Sequence, residues 1–581
     1  MACTENVVKE DVPTDACAST GQFGSKSIGY VAGIALLVNN ITGPGIPELP
    51  NMFVEAGWLL PSICILSVWV ITTMSSSMYC EAMRNIPGNE NFRGHAEYTT
   101  IVDHFFGRRW YWTSQIGLNG ALQSLNVISI VQSAQMMDNT ISEIFGGTCG
   151  LNMTPFANLL TSKDGDRSVV PASTQWVSCW NTMHLEHGNA WGCHVVFTCG
   201  LVVTAALVLP CGRWHLDDNM IIQTIAFALT ILCWLLWVVF SLSSLGPEHG
   251  GLPAVNLDPF TGSQAGVIGT ILFNFGFVTT VPSWINEKRP HVSANKSLWG
   301  ATTICIAVMF AVGLSGALAF QDVLQGTVTN KCARQMQDGS YNCANDLLQV
   351  FSAAGTSAEW SGSFGGRLIK CSVFVFPIVA VVSSIPVFSI VVKYNMLEHG
   401  FSRSFSYFWG VMLPWIIAAP ISYMPNVLSQ LINISSLVFV TFTDFIVPLA
   451  IYAKLQKAQR GGCSRKEIVS CELPPAMSTR PENPPPESSE DISDESATNS
   501  SHAASPATSP ATSPSERRSL ADVPHEHIAL PRRWNLSHKA KETCAKCMGV
   551  LLTGAAVAGM ALTIRDSDLH LDAQVCSLVG N

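Results

Sequence analysis

The chain has 581 residues, of which 48% are hydrophobic and only 13% are charged, and its net charge at pH 7 is −9. Most of the charges lie between apolar runs rather than inside them, which is typical of a protein that crosses a membrane several times. The net charge says little about partners, because an acidic loop supplies much of it, and we expect no nucleic-acid partner.

Residues 1–26 are polar and slightly acidic, lack the apolar core of a signal peptide and are predicted to form a cytosolic N-terminal tail. Eleven apolar runs follow, each about 20 residues and therefore long enough to cross a bilayer as a helix. They predict an all-α integral membrane protein with eleven transmembrane helices. The runs cover residues 28–50, 57–83, 114–137, 194–212, 219–245, 264–285, 298–320, 368–394, 405–424, 426–455 and 546–565.

The first span is interrupted by a Gly-Pro-Gly sequence at residues 43–45. Pro47 suits the first turn of a new half-helix, and the N-terminal N–H groups and positive dipole end of that half-helix favour a carboxylate. The first half ends near Asn39 and Asn40, whose side chains, with the freed backbone carbonyls, are candidate ligands for a small cation.

A polar stripe follows the third span at close to helical spacing. Its residues are Gln115, Asn119, Gln123, Asn126 and Ser133. Such side chains face the interior of a helix bundle rather than lipid. They either line a substrate pathway or hydrogen-bond neighbouring helices, and both interpretations stay open at this point.

The sixth span is broken at the position that matches the break in the first, within FNFGFVTTVPSWINEKRP at residues 273–290. Non-helical backbone at membrane depth is tolerated only where it lines a cavity. Matching breaks in two halves of a chain are the sequence sign of a substrate site in a secondary transporter. Close helix packing is the alternative for any one glycine. The candidate substrate-binding residues are Thr42, Gly43, Gly45, Asn119, Gln123, Asn274, Phe275, Gly276, Thr279 and Thr280.

Two further spans carry candidates for ion coupling. In the eighth, Ser383 and Ser384 precede Pro386, and a proline frees backbone carbonyls that a sodium ion can use. In the tenth, Asp444 is an acid inside the membrane and is a functional candidate by default, with a structural hydrogen bond as the alternative. The cation-coupling candidates are Asn39, Asn40, Ser383, Ser384 and Asp444.

Lysine and arginine are distributed unequally between the two sets of connections, 15 against 5. The positive-inside rule therefore places the N-terminus in the cytosol and, with eleven spans, the short tail 566–581 outside. The outer loop 138–193 holds the glycosylation sequence Asn152-Met153-Thr154, so Asn152 is the predicted glycosylation site.

The outer loops also hold cysteines, which an oxidising environment allows to pair. Cys332 and Cys343 are disulfide candidates that would close a short loop, with free thiols as the alternative. For Cys149, Cys179 and Cys193, the sequence leaves the pairing open.

Residues 456–545 differ in kind from the rest of the chain. Proline, serine and acidic residues dominate, as in PENPPPESSEDISDES, and no apolar period is visible. Such a segment cannot bury enough surface to fold, and we expect a disordered cytosolic loop. Ser505, Ser509 and Ser513 each precede a proline, so kinases acting on this loop are candidate partners, while a spacer without regulatory role is the alternative.

NNITGPGIPELPNMFVEAGW, at residues 39–58, resembles the opening motif of the amino acid/auxin permease family, and VPSWINEKRP resembles the end of that family's sixth span. The resemblance covers residues 27–455, the transporter core, and the last span. It implies the LeuT-type fold of two inverted five-helix repeats (5+5), with discontinuous first and sixth spans that bind the amino acid, and one extra C-terminal span. It also implies a sodium site near Ser383 and Ser384. Glu48 departs from the family, which has a small residue there.

The leading functional hypothesis is therefore a secondary active transporter, a symporter of amino acids driven by a proton or sodium gradient. The alternative is a receptor-like protein that senses an amino acid and signals through the loop 456–545. An enzyme is not expected, because the spans carry no paired catalytic acids, metal-spaced His/Cys set or nucleophile elbow. No cofactor is expected beyond a coupling sodium ion or proton. The expected location is the plasma membrane or a vacuolar or lysosomal membrane.

Overall fold

The computed structural model describes most of the chain from residue 26 to residue 566. The residues outside the description in that range are Pro44 and residues 153–176, 181–195, 246–258, 261–263, 322–323, 325–345, 355–363, 423–426, 462–528 and 531–535. Cys332, Cys343 and the phosphorylation candidates in the loop 456–545 lie outside the described residues, so the disulfide and the phosphorylation stay predictions.

The described residues form a helical bundle in which the predicted first and sixth spans are each built from two helices. The helices of the first half of the bundle are α1 (Tyr30–Ile41), α2 (Leu49–Ala56), α3 (Leu59–Arg84), α4 (Tyr98–Phe106), α5 (Arg108–Phe145), α6 (Cys199–Val208) and α7 (Met220–Ser243). A 3₁₀ turn, Ile46–Glu48, joins α1 to α2 across the break.

The second half continues in the same way. Its helices are α8 (Ala265–Asn274), α9 (Val281–Glu287), α10 (Ala294–Phe320), α11 (Leu347–Ala354), α12 (Phe364–Glu398), α13 (Arg403–Tyr407), α14 (Leu413–Ile421), α15 (Val427–Ile434), α16 (Val447–Arg460) and α17 (His538–Asp566). The 3₁₀ turn Val278–Thr280 precedes α9. Two stretches of π-helix lie in the predicted ninth and tenth spans, at Phe408–Met412 and Ser435–Ile446.

Eight helical stretches in the described part of the chain are long and apolar enough to cross a membrane, and three of them combine helices given separately above: Gly266–Glu287, Arg403–Ile421 and Leu431–Arg460. The other predicted spans correspond to the broken first span, to the long and more polar α5, and to the short apolar helix Cys199–Arg213. The chain is therefore a multi-pass membrane protein, and the count of eleven spans stays a prediction. Apolar side chains exposed along α7 are suited to lipid contact: Ile221, Ile225, Leu232, Leu235 and Val239.

The membrane-spanning part is all-helical, as predicted, but the structure adds a small antiparallel sheet, with two strands in the predicted outer loop 138–193 and the third at the start of the predicted fourth span. Its strands are β1 (Thr148–Asn152), β2 (Val177–Trp180) and β3 (Val196–Thr198), in the order β2-β1-β3. Cys149 lies opposite Cys179 in the β1–β2 register, and the two form a disulfide. This pairing, which the sequence left open, fastens β1 to β2.

Two glycines with positive φ set the ends of α5. Gly107, with φ of 81°, ends α4 and precedes α5, and Gly146, with φ of 77°, caps the C-terminus of α5 in the left-handed conformation. A side chain is strained at such angles, whereas glycine is not.

Several basic connections meet on one face of the bundle, which we call the basic face. It comprises residues 26–28, 85–97, 209–219, 288–293 and 399–402. Lys26 Nζ donates to Gly94 O over 3.4 Å, and Lys393 Nζ donates to Gly212 O over 3.0 Å. Thr99 Oγ1 lies 2.7 Å from His399 Nε2. The positive-inside rule predicts that this face is cytosolic.

The predicted loop 456–545 is shorter than expected, since α16 runs to Arg460 and α17 begins at His538. One described piece of the loop is buried against the core. Ala529 donates its backbone N–H to Glu81 Oε2 over 2.7 Å, and Leu530 is also buried. The end of the loop is therefore attached to α3 near the basic face.

Candidate functional site

The first span breaks between α1 and the turn that begins at Ile46. Thr42, the residue after α1, has φ of −101° and ψ of 42°, outside the helical region. Its backbone N–H and its hydroxyl both donate to Val38 O, over 2.8 Å and 2.6 Å, so Thr42 closes the last turn of α1. Space around the break differs between its two described glycines. A Cβ on Gly43 would meet nothing within 4 Å, whereas a Cβ on Gly45 would lie 2.5 Å from Asn274 Oδ1.

The sixth span breaks at Phe275, between α8 and the turn before α9. Phe275 and Phe277 are fully buried, and Thr72 of α3 donates its hydroxyl to Phe275 O over 3.4 Å. A Cβ on Gly276 would lie 2.9 Å from Val440 Cγ1. The glycine is therefore required for close packing against the tenth span, so packing accounts for this position.

The two breaks meet inside the bundle. Gly45 packs against Asn274, and Asn40 Nδ2 donates to Thr280 Oγ1 over 3.2 Å. Asn40 Oδ1 and Thr279 Oγ1 are buried and have no hydrogen-bond partner among the described residues. Buried polar atoms without partners are unusual and mark places where a ligand, an ion or water can bind.

The second half of the first span also contacts α5. Glu48, whose backbone N–H donates to Gly45 O over 3.3 Å, accepts a hydrogen bond from Gln132 Nε2 over 2.9 Å. A carboxylate in the first turn of a half-helix is favoured by the helix dipole. Glu48 therefore places a carboxyl group beside the break, where the sequence resemblance predicts a small residue.

Two of the cation-coupling candidates are connected through a residue that the sequence analysis missed. Asn39 Nδ2 donates to Gln223 Oε1 over 2.8 Å, and Gln223 Nε2 donates to Ser383 O over 2.6 Å. Gln223 lies in α7, so this chain of hydrogen bonds joins the first, fifth and eighth spans. Ser383 and Ser384 both donate their hydroxyls to Ala380 O over 2.9 Å. Oxygen atoms from three spans thus lie near one another.

Asp444 lies at the break of the sixth span. Its Oδ1 accepts the backbone N–H of Thr279 over 3.2 Å, and its Oδ2 accepts the hydroxyl of Thr443 over 2.8 Å. Asp444 is fully buried and belongs to the π-helical stretch of the tenth span. The carboxylate satisfies an N–H at the start of the helical turn leading into α9, as an N-terminal cap does.

Side chains from other elements satisfy carbonyls that the π-helical stretch leaves free. Ser75 Oγ donates to Asp444 O over 2.9 Å, and Tyr98 OH donates to Thr443 O over 2.7 Å. π-helical turns inside α-helices are frequent at functional sites. In this protein the stretch is held by α3 and α4 in the arrangement that aims Asp444 at the sixth span.

The polar stripe of the third span lies mostly against the eighth and ninth spans. Asn119 Oδ1 accepts from Trp409 Nε1 over 2.7 Å, and Gln123 Nε2 donates to Trp409 O over 2.7 Å. Asn126 Nδ2 donates to Ser389 Oγ over 3.3 Å. Of the two interpretations of the stripe, these contacts favour hydrogen bonding between helices. The described contacts do not bring Asn119 and Gln123 to the two breaks.

Sequence reasoning missed Gln132 and Gln223. Both are carboxamides inside or next to long apolar helices, and polar groups at membrane depth must find partners. That rule predicts that each glutamine has a hydrogen-bond partner, but it does not identify the partner residue. Glu48 and Asn39 lie 84 and 184 residues away from these glutamines in the sequence.

Residues 26–161 match the family model described as transmembrane amino acid transporter protein. This part of the chain is similar to that transporter family. The match covers the broken first span and the polar stripe of the third, so the resemblance drawn from residues 39–58 is confirmed. No curated protein matches the chain.

Three solved structures align with the fold at low identity. MhsT in complex with L-phenylalanine is 11% identical, with a TM-score of 0.49 over 78% of this chain and 94% of that chain. Mhp1, a nucleobase-cation-symport-1 family transporter with bromovinylhydantoin bound, is 12% identical, with a TM-score of 0.43 over 79% and 84%. The Eremococcus coleocola manganese transporter is 13% identical, with a TM-score of 0.42 over 76% and 82%. No function is inferred from these three alignments.

Proposed function

We propose that this protein is a secondary active transporter that moves amino acids across a membrane by alternating access. The observation that carries the proposal is the meeting of two broken helices, with Gly45 against Asn274 and Asn40 against Thr280. Broken spans that face each other supply helix ends and free backbone groups to a substrate near the middle of the membrane. The family match over residues 26–161 supports amino acids as the substrate class.

The amino acid binds with its carboxylate toward the half-helix that begins near Gly45 and with its side chain toward Phe275 and Thr279. The positive dipole end of the half-helix favours the carboxylate. The open space at Gly43 supports a close approach of ligand to backbone. Glu48, next to the break, favours a substrate that also carries a cationic group.

Transport is coupled to a proton or a sodium gradient. The sodium hypothesis rests on the oxygen atoms around Asn39, Gln223 and Ser383. The proton hypothesis rests on Asp444, an acid buried in the tenth span. The inverted relation between spans one to five and six to ten, and the cytosolic orientation of the basic face, are part of the same proposal.

The test is uptake into proteoliposomes across a panel of amino acids. A sodium gradient and a proton gradient are imposed separately, and protein-free liposomes give the background. Accumulation above that background with one gradient supports the proposal and identifies the coupling ion. No accumulation of any amino acid under either gradient, by protein shown to be folded, contradicts it.

A receptor-like function is the second candidate, and the attachment of Ala529 to Glu81 is the observation that favours it. A loop fastened to the core can report a change of conformation to a cytosolic partner. The same uptake experiment separates the two, because a receptor binds an amino acid and does not accumulate it. Binding without uptake would support the receptor.

A further inference from the structure

Helix α9, the inner half of the sixth span, is buried along its whole length, from Val281 to Glu287. It is short, and one of its ends is the break itself. A seven-residue helix is not stable alone in water, so its position depends on its contacts with neighbours. The residues that contact α9 therefore determine whether the basic face is closed.

Glu97, in the connection between α3 and α4, holds α9 through its side-chain carboxylate. Glu97 Oε2 accepts the hydroxyl of Ser283 over 2.6 Å, and Glu97 Oε1 accepts from Asn286 Nδ2 over 3.0 Å. Asn286 also pairs with the backbone of Ala96, donating to Ala96 O over 3.1 Å and accepting from Ala96 N over 3.2 Å. Four hydrogen bonds thus join this connection to α9.

The same connection is bonded to the end of α12. The backbone N–H of Glu97 donates to Glu398 Oε2 over 2.9 Å. Asn395 Nδ2 lies 3.5 Å from Glu97 Oε2, and Asn395 Oδ1 accepts the hydroxyl of Thr99 over 3.1 Å. Glu97 therefore links the sixth span to the eighth.

The C-terminal end of α9 contacts the start of the first span, and this contact closes the basic face. Ile28, just before α1, donates its N–H to Glu287 O over 3.1 Å, and Arg289 donates its N–H to Ile28 O over 2.9 Å. These hydrogen bonds join the start of the first span to the end of the sixth span. If α9 moved away from Glu97, they would break and the basic face would open.

Because Glu97 is buried, the hydrogen bonds between Glu97 and α9 depend on one another. A buried carboxylate is tolerated only when hydrogen bonds satisfy it, and a buried donor that loses its acceptor costs more than a typical hydrogen bond contributes. Glu97 is 0% exposed, and His95 Nε2 lies 3.4 Å from its Oε1. Removal of the carboxylate would leave the Ser283 hydroxyl and one N–H of the Asn286 amide without their acceptor, while the bond from Asn286 to Ala96 O would remain.

We infer that Glu97 is a positioning residue that keeps α9 in place and the basic face closed during the transport cycle. The inference rests on the proposed transport function, because only a transporter has to open this face in turn. Glu97 lies outside the two breaks and touches no predicted substrate-binding residue in the contacts described. It acts through Ser283 and Asn286.

Hydrogen exchange measured by mass spectrometry on the purified full-length protein tests the inference. The variants are Glu97→Ala and Ser283→Ala, which remove the same hydrogen bond from its two sides. Glu90→Ala is the matched control, because Glu90 is an exposed carboxylate on the same connection. Peptides covering α7 serve as the internal reference for global unfolding.

We expect exchange in α9 to rise about tenfold in Glu97→Ala, less in Ser283→Ala and not at all in Glu90→Ala, with α7 unchanged. The double variant should exchange no faster than Glu97→Ala, because Ser283 acts through its hydrogen bond to Glu97, which Glu97→Ala already removes. If exchange in α9 is unchanged in either folded variant, or rises equally in α7, the inference is wrong. This experiment needs no transport, so an absence of uptake would overturn only the proposed function.

Discussion

Asp444 accepts the backbone N–H of Thr279, so a carboxylate in the tenth span caps the helical turn at the break of the sixth. The sequence separation of 165 residues means that only the folded bundle creates this pair. Asp444 is thus both a buried acid and an N-terminal cap, and the two roles can be separated by substitution.

Asp444→Asn keeps an oxygen that can accept the Thr279 N–H but cannot titrate. If protons drive transport, this variant should insert normally and lose most of the pH dependence of uptake. Asp444→Ala, which also removes the acceptor, should destabilise the protein by about 1–3 kcal/mol. The measurements are initial uptake rates against pH and thermal unfolding in detergent. An unchanged pH profile in Asp444→Asn would mean that Asp444 is structural.

Substitutions at the first break should abolish uptake for different reasons. A Cβ on Gly45 would lie 2.5 Å from Asn274 Oδ1, so Gly45→Ala should displace the Asn274 side chain that packs between the two breaks. Gly43 faces open space, so Gly43→Val should fold normally and occupy the volume that the substrate needs. Uptake normalised to the amount of protein in the membrane measures both effects.

The control for these variants is Gly300→Ala in α10, where a Cβ would make an ordinary contact of 3.8 Å with Ile34. Gly313, in the same helix, is unsuitable although its span is unbroken, because a Cβ there would lie 2.7 Å from Phe53. Normal uptake by both Gly43→Val and Gly45→Ala would show that the break serves packing and not binding.

Glu97 should make stability depend on pH. Burial, followed by the nearby Glu398, raises its pKa well above the usual value, and Glu287 adds to the effect, while hydrogen bonds from Ser283 and Asn286 oppose it. A folded-state pKa above the unfolded one means that the native state holds a proton which the unfolded chain has lost. The stabilisation is therefore present below the usual glutamate pKa and is lost as pH rises through the raised value.

The neighbouring His95 does not reverse this sign, because burial, followed by the charge of Lys26, lowers its pKa to about 4 and keeps it neutral. Glu97→Gln cannot titrate, so its melting temperature should change less than that of the wild type as pH is raised from about 5 to about 8. Parallel melting curves for the two proteins across this range would contradict the expected pKa shift.

Glycosylation tests the orientation of the bundle. Asn152 is the last residue of β1, in the loop predicted to lie outside. In a eukaryotic secretory pathway Asn152→Gln should remove a glycosidase-sensitive gel shift, because only outer sequons meet the transferase. Asn499→Gln and Asn535→Gln, in the loop predicted to be cytosolic, serve as controls and should change nothing. Modification of Asn499 or Asn535, with Asn152 bare, would reverse the orientation.

The sequence alone determined the class of the protein and the places where its helices break. The composition and the length of the apolar runs are local properties, and they are sufficient to predict membrane helices. The breaks at residues 43–45 and near Gly276 are visible because glycine and proline interrupt a helix whatever surrounds them. The boundaries were less certain: α2 continues to Ala56, beyond the predicted end at 50.

Only the tertiary structure decided which side chains meet. Asn119 and Gln123 have the polarity expected of a pathway, yet both bond to Trp409, because helix rotation in the bundle sets the direction of a side chain. Gln223 became part of the candidate ion site through its contact with Asn39, 184 residues away. Glu97 gave no signal at all, because a glutamate in a polar connection is normally exposed to solvent. Its burial between α9 and α12 arises only when distant helices pack around it, and a single sequence does not encode that packing in any local pattern.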